Sequence, residues 1–227
     1  MAKIWYLGHS CFQLEIDGVK IVVDPFITGN PLVKDITLTD IEADLILVTH
    51  SHGDHILDLM ELAKNTNAQI ISNFEITTWV ENQGYSNVRP MNIGGNYSTK
   101  GIDFKVVVAN HSSSFPDGTY GGNPVGFIIS GKSDCLYYAG DTGLTLDMKL
   151  IKDDFDLTGA FLPIGDNFTM GYEDAAKAAT FCGAKTVIGM HYDTFGYIEI
   201  DHNAAKEAFE KRKVTLLLPS INEKLDL

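Results

Sequence analysis

Six consecutive residues, His50-Ser51-His52-Gly53-Asp54-His55, constrain this chain more than any other feature. They follow Leu45-Ile46-Leu47-Val48-Thr49, an apolar, partly β-branched run suited to a buried strand. His50 therefore sits where a buried strand ends. The spacing assigns work to the residues that follow. His50 and His52 are two apart, so in extended backbone their side chains point the same way and grip one ion. Gly53 permits a sharp turn, after which Asp54 and His55 open a helix and face a second ion. Neutral imidazole and carboxylate suit two divalent ions, with zinc the first choice and manganese or iron the alternatives.

Two clustered pairs leave coordination positions to be filled from later in the chain. His111 follows the apolar run ending Val108-Ala109-Asn110. Asp141 follows Leu136-Tyr137-Tyr138-Ala139-Gly140, and His191 follows Thr186-Val187-Ile188-Gly189-Met190. Each comes just past a predicted strand, where a rigid scaffold can present it on a shared rim open to substrate.

Candidate strands are Ile4–Leu7, Phe12–Ile16, Lys20–Val23, Leu45–Thr49, Gln69–Ser72, Asp103–Ala109, Val125–Ser130, Leu136–Ala139, Ala160–Leu162, Thr186–Met190 and Val214–Leu217. Asp17-Gly18 marks a hairpin turn between the second and third. Ile56, Leu59, Met60 and Ala63 repeat at helical spacing behind Asp54. A second helix carries Ala175, Ala176, Ala179 and Phe181-Cys182 and stops at Gly183. A third starts at the N-cap Asp201 and aligns Ala204, Ala205, Ala208 and Phe209. Strand runs followed by strands mixed with helices indicate an α/β layered fold, and the length suits one domain over residues 1–227.

Charge and composition exclude several functions. The net charge of −13 repels polyanions, and the densest cationic run, Lys211-Arg212-Lys213, fits a helix C-terminus, so no nucleic-acid partner is expected. No apolar run approaches the roughly 20 residues of a membrane span. Neither a secretory leader nor paired cysteines are evident (Cys11, Cys135 and Cys182 are far apart), which points to a cytoplasmic location. No Gly-x-Ser-x-Gly elbow exists, so Ser112-Ser113-Ser114 is not read as a nucleophile cluster.

The order H-x-H-x-D-H, His, Asp, His resembles the signature of the metallo-β-lactamase superfamily. Gly8-His9-Ser10-Cys11-Phe12, Val23-Asp24-Pro25-Phe26, Ala139-Gly140-Asp141-Thr142, Pro163–Gly171 and Met190–Phe195 bring the likeness closer to one branch. That branch comprises largely uncharacterised metal-dependent hydrolases and is similar to the L-ascorbate-6-phosphate lactonases. The resemblance implies a four-layer αββα sandwich with the metal site on one edge. It implies that His50, His52 and His111 hold one ion, that Asp54, His55 and His191 hold the other, and that Asp141 bridges them. It also narrows the function. Zinc β-lactamases that cleave penicillins often carry Cys where Asp141 stands. The segment after His191 is too short for the helical domain of glyoxalase II. No basic arm like that of ribonuclease Z lies between Asp141 and His191, and di-iron oxygen reductases typically have Glu at the position of His52.

The expected activity is therefore hydrolysis of a small carbonyl substrate, a lactone or ester with or without a phosphate group, by a hydroxide held between the ions. A two-metal phosphodiesterase and a non-hydrolytic metal-binding or redox protein are the alternatives. Asp54 is expected to orient the nucleophile. His9 either donates a proton to the leaving group or is a hydrogen-bonded structural residue. Asp24 is expected to hold the histidine loop in place. Asp166 and Asn167 either line the mouth for substrate or form a loop turn. Phe115–Asn123, with three glycines, is a candidate substrate-facing flap, and His202 is expected to be merely solvated. Homo-oligomers occur among the similar lactonases, so assembly is compatible with the resemblance.

Overall fold

The computed structural model describes residues 1–227. Strands β1 (Lys3–Gly8), β2 (Cys11–Ile16), β3 (Val19–Val23), β4 (Leu45–Leu47), β5 (Gln69–Ser72) and β6 (Val88–Pro90) form one sheet in sequence order. Strands β7 (Asn96–Thr99), β8 (Ile102–Val108), β9 (Val125–Ser130), β10 (Cys135–Tyr138), β11 (Gly159–Pro163), β12 (Thr186–Met190) and β13 (Thr215–Leu217) form a second. The closing strand β14 (Lys224–Asp226) returns to pair antiparallel with β1. Each sheet opens with antiparallel hairpins and continues with parallel strands, β3 to β6 in the first and β10 to β13 in the second. The chain thus lays down the same topology twice.

Parallel strands need crossovers, and helices supply most of them. Helices α1 (Gly53–Ile56), α2 (Leu59–Thr66) and α3 (Phe74–Asn82) serve the first sheet, and α4 (Met148–Asp154), α5 (Tyr172–Cys182) and α6 (His202–Glu210) the second. The layering is visible inside β4 and its extension. Leu45 and Leu47 belong to the larger apolar core with the facing sheet, whereas Ile46 and Val48 belong to a smaller core with Leu59, Leu62, Ile76 and Val80 of the helices. Alternate residues facing two apolar layers is what a period-two strand buried on both faces requires. The architecture is the expected αββα sandwich.

Several local expectations hold to the residue. Asp17 and Gly18 both take left-handed φ in the β2–β3 turn, Gly183 ends α5 at φ 81°, and the Asp201 carboxylate accepts from the backbone N–H groups of Asn203 and Ala204. Others shift. The helix anticipated from Asp54 to Ala63 is broken at Leu57-Asp58. The buried Asp58 carboxylate turns aside to accept from the N–H of Ile27 (2.5 Å) and Thr28 (2.9 Å) and from the Thr28 hydroxyl, and the chain resumes as α2. Elements β6, β7, β14, α3 and α4 carry weak local signals. The first three are short edge or near-edge strands with polar or proline residues. Helix α3 is rich in β-branched residues and forms because Asn73 caps it (Oδ1 to Ile76 N, 2.8 Å) while Ile76 and Val80 are buried. Helix α4 buries only Met148 and Ile151.

Candidate metal centre

Strand ends deliver the site by one recurrent device. His9 (φ 58°) follows β1, Asp24 (φ 47°) follows β3, Gly140 (φ 63°) precedes Asp141 after β10, and His191 (φ 57°) follows β12. In each case the chain leaves an extended strand through left-handed backbone, one residue at β3, β10 and β12 and the pair Gly8 (φ 113°) and His9 at β1, which aims a polar group sideways across the end of the sheets. For a non-glycine residue this costs about 1–3 kcal/mol. His and Asp tolerate it better than most side chains. His50, His52, Asp54 and His55 reach the same place by a different route, with His52 extended (φ −64°, ψ 149°) at the start of α1.

All seven residues expected as ligands converge. The Asp141 Oδ2 atom lies 2.9 Å from His191 Nε2, 3.5 Å from His55 Nε2, 3.7 Å from His111 Nε2 and 3.9 Å from His50 Nε2. His50 Nε2 and His52 Nδ1 are 3.0 Å apart, and Asp54 Oδ2 lies 3.9 Å from both His55 Nε2 and His191 Nε2. Their ligand atoms fall into mutually close sets: His50 with His52 and His111, His50 with His55 and Asp141, and Asp54 with His55, His191 and His9. Asp141 is therefore the carboxylate at the junction.

The donors fit divalent cations on physical grounds. Asp24, Asp54 and Asp141 all lie within 4.0 Å of the His55 ring, each is ion-paired only with histidines, and no lysine or arginine lies within 4.0 Å of any of them. Buried carboxylates without a counter-ion are strongly unfavourable. His55 Nε2 and Asp141 Oδ1 are buried and have no hydrogen-bond partner, although both belong to the cluster. Burial holds the His50, His52 and His111 imidazoles below their ordinary range, so they are neutral with free lone pairs. Burial acts the same way on His55, but Asp141, Asp54 and Asp24 outweigh it and push that imidazole up. Burial would raise Asp141, and His191 and His55 instead hold it well below the carboxylate range. The centre is a pool of negative charge and lone pairs that calls for positive charge.

Behind the ligands, Asp24 sets their protons. This fully buried carboxylate accepts from Thr49 N (2.8 Å), Thr49 Oγ1 (2.8 Å) and His55 Nδ1 (3.0 Å). Since the Thr49 hydroxyl donates to Asp24, its oxygen is left to accept from His50 Nδ1 at 3.0 Å. One carboxylate thus places the Nδ1 protons of His50 and His55, so that in the neutral rings an ion requires each Nε2 lone pair is turned inward. The expectation for Asp24 was a support to the histidine loop, and its bonds run to that loop.

His9 is fully buried, and burial pushes its imidazole down to about 4. Its Nδ1 meets Thr194 Oγ1 at 2.9 Å and its Nε2 meets Asp54 Oδ2 at 3.2 Å. Both nitrogens are engaged, so of the two roles left open the hydrogen-bonded one matches the geometry. Asp166 and Asn167 are exposed and left-handed in a turn where Asp166 O accepts from Phe168 N and Thr169 N, and neither side chain bonds to the histidine cluster. His202 is not merely solvated. Its Nε2 bonds Asp193 Oδ2 at 2.6 Å, while Asp193 Oδ1 accepts from Ile200 N, which clamps the loop that follows His191. The Phe115–Asn123 loop is fastened at both ends. Phe115 stacks on Trp79, Asn73 Nδ2 donates to Gly121 O (2.7 Å) and Asn123 O (3.1 Å), and Gly121 packs on Ser51 and Ser113. The stretch from Pro116 to Tyr120 is exposed, as is Asn123.

Sequence reasoning missed Thr49, Thr194 and Asp58. A threonine immediately before the histidine run was visible as a hydroxyl beside a ligand. Thr194 and Asp58 had no local signal, because their partners lie 185 and about 30 residues away.

Comparison with known proteins agrees with this geometry. Residues 3–191 match the family described as the beta-lactamase superfamily domain. A UPF0173 metal-dependent hydrolase of Christiangramia forsetii is 51% identical over 226 residues, covering 99% of this chain and 100% of that protein. One from Thermus thermophilus is 48% identical over 212 residues, 93% of each. Among solved structures, Igni18, a metallo hydrolase from the archaeon Ignicoccus hospitalis, superposes with a TM-score of 0.90 at 35% identity, covering 99% of this chain and 97% of that one. An isothiocyanate hydrolase from Delia radicum gut bacteria shares the fold (TM-score 0.80, 18% identity, 99% and 98% covered).

Proposed function

The chain belongs to the metallo-β-lactamase superfamily and, within it, to the UPF0173 metal-dependent hydrolases, and from that membership we propose that it hydrolyses a small carbonyl compound, a lactone or ester, at a centre of two divalent ions. The observation that carries the reading is the Asp141 Oδ2 atom, with four imidazole Nε2 atoms between 2.9 and 3.9 Å around it. A carboxylate shared by two histidine sets suits a pair of ions better than one. His50, His52 and His111 would hold the first ion, Asp54, His55 and His191 the second, and Asp141 both.

When bound, such ions supply an acidified water as nucleophile and polarise the scissile carbonyl. The protein's own part is positioning. Asp24, through Thr49, keeps the His50 and His55 lone pairs inward. His9 donates from Nε2 to Asp54 Oδ2 while Thr194 donates to its Nδ1, which fixes the Asp54 carboxylate and leaves its second oxygen free to accept a proton or orient water. The aromatic rings of Phe26 and Phe195 beside His9 exclude bulk water from that side.

The test is a purified protein with its metal quantified, assayed against a panel of lactones, aryl esters and a chromogenic phosphodiester. Two ions per chain and turnover of the carbonyl substrates are expected. Asp54→Ala should lose bound metal and turnover together. Turnover confined to the phosphodiester, or full activity in a metal-free protein, would overturn the proposal.

A further inference from the structure

One wall of the site is apolar and continuous with the reacting centre. The His9 ring, bonded to Asp54, lies 5.5 Å from the Phe195 ring and 5.7 Å from that of Phe26, and Phe195 and Phe26 are 6.4 Å apart. Leu57, at the end of α1 and two residues past His55, joins them. A Cβ placed on Gly29 would come within 2.3 Å of Leu57 Cδ2 and 2.8 Å of Phe26 Cε2, so both side chains cover the same glycine. Phe195 is 37% exposed and Leu57 55%, although both types are normally buried.

Charge points the same way. The chain's lysine ion pairs, Lys3 with Glu15, Lys20 with Glu42 and Lys100 with Asp44, involve none of the site's carboxylates. The groups bonded at the centre are imidazoles, carboxylates and the hydroxyls of Thr49, Ser112 and Thr194. A phosphate or carboxylate borne by the substrate away from its reacting carbonyl would meet the side chains of Phe195, Phe26 and Leu57, which offer nothing to replace its hydration.

We propose that the substrate is uncharged away from its reacting carbonyl and carries a phenyl-sized apolar group that lies against Phe195, Phe26 and Leu57. The assignment rests on carbonyl hydrolysis at the adjacent centre and specifies which lactone or ester enters it. The wall begins at a ring that contacts Asp54, so a group attached to the reacting carbonyl reaches it without leaving the site. An apolar contact surface discriminates by roughly tenfold for a side-chain-sized difference.

The experiment compares γ-butyrolactone, its γ-phenyl derivative and a phosphorylated sugar lactone on the metal-loaded protein, with Phe195→Ala alongside wild type. The phenyl lactone should show kcat/KM about tenfold above the unsubstituted ring, carried by KM. Phe195→Ala should collapse that ratio toward one. In parallel, saturation-transfer NMR follows 2-phenyltetrahydrofuran, which has no bond to hydrolyse. Transfer to its phenyl protons in wild type, lost in Phe195→Ala, is expected even if no lactone is turned over, so this arm stands apart from the hydrolytic assignment. Preference for the phosphorylated lactone, an unchanged ratio in the variant, or no transfer in wild type would each overturn the proposal. So would sedimentation showing a dimer that Phe195→Ala dissolves, which would assign the wall to a second copy.

Discussion

Replacing Asp24 by Asn tests the logic of the centre without touching a residue assigned to an ion. The fully buried carboxylate accepts three close hydrogen bonds, from Thr49 N, Thr49 Oγ1 and His55 Nδ1, and a longer one from the Tyr138 hydroxyl at 3.5 Å. The amide keeps one acceptor oxygen and presents an N–H₂ where an acceptor is needed. The Thr49 hydroxyl and His55 Nδ1 both end on Oδ2, and Thr49 N ends on Oδ1. With the N–H₂ at the Oδ2 position, His55 must turn over its tautomer or the Thr49 hydroxyl must reverse, and an inward lone pair is spoiled. With the N–H₂ at the Oδ1 position, it opposes the Thr49 N–H, and the two histidine branches end on a neutral oxygen that supports the ligands less than a carboxylate does. Losing such an orienting partner costs about 10–100-fold in metal affinity, which is about 1.4–2.8 kcal/mol at 1.4 kcal/mol per tenfold. A competition titration against a chromophoric chelator reads the affinity, and a urea melt of the metal-free protein reads the fold. The expected result is weakened binding with a cooperative melt retained. Thr49→Val cuts only the branch to His50 and should weaken binding about tenfold. Wild-type affinity in Asp24→Asn with a normal melt would refute the claim that this carboxylate sets the ligands' protons.

Three further outcomes are expected of the same centre and its supports. Stripping the metal with a chelator leaves Asp54 and Asp141 without counter-ions. If ions are present at about a thousand times Kd, roughly 4 kcal/mol of stability is lost, and Tm by differential scanning fluorimetry should fall by about 8–16 °C and recover on adding metal back. Gly121→Ala puts a Cβ 1.8 Å from Ser51 Oγ and 2.7 Å from Ser113 Oγ, so the Phe115–Asn123 loop must shift off the histidine loop. A cost of about 1–3 kcal/mol in a urea titration is expected, together with reduced turnover. Asp58→Ala orphans the Ile27 and Thr28 N–H groups and should cost about 1–3 kcal/mol in the same assay.

The sequence was legible where one residue type could do only one job. H-x-H-x-D-H behind an apolar strand, and a His or Asp just past each of three further strands, specified the centre because strand ends are where a two-sided buried sheet releases its chain. Leu45–Thr49 could be read as doubly buried because nothing in it is polar before Thr49. Legibility failed where tertiary contact decides. Helix α3 owes its existence to Asn73 and to burial of Ile76 and Val80, against the preference of Thr77, Thr78 and Val80. The break before α2 exists because Asp58 finds the 27–28 backbone, and nothing near Asp58 in sequence announces that. His202 looks like any helix first-turn histidine until Asp193 is placed beside it. Asp166 and Asn167 follow β11, as ligands follow β10 and β12, and form a left-handed turn with exposed side chains, a geometry that their sequence position does not reveal.

The duplicated topology explains why the centre lies where it does. His50, His52, Asp54 and His55 follow β4 in the first sheet, whereas His111, Asp141 and His191 follow β8, β10 and β12 in the second. Neither set contains enough donors to satisfy two ions, and each alone would leave unpaired polar groups at the end of its own sheet. The sheets are packed through one shared apolar core, so their ends meet at a fixed distance, and backbone bonds such as His191 N to His9 O (3.1 Å) and Val125 N to Thr49 O (3.0 Å) hold the two ends in register. The left-handed turns at His9, Asp24 and His191 carry a conformational cost that apolar packing between the sheets must offset. A substitution that loosens that packing far from the cluster, such as Phe12→Ala beneath the Phe161 and Tyr138 rings, should therefore weaken metal binding as well as stability. An Asp58 substitution acts within one half and should lower stability with a smaller effect on affinity.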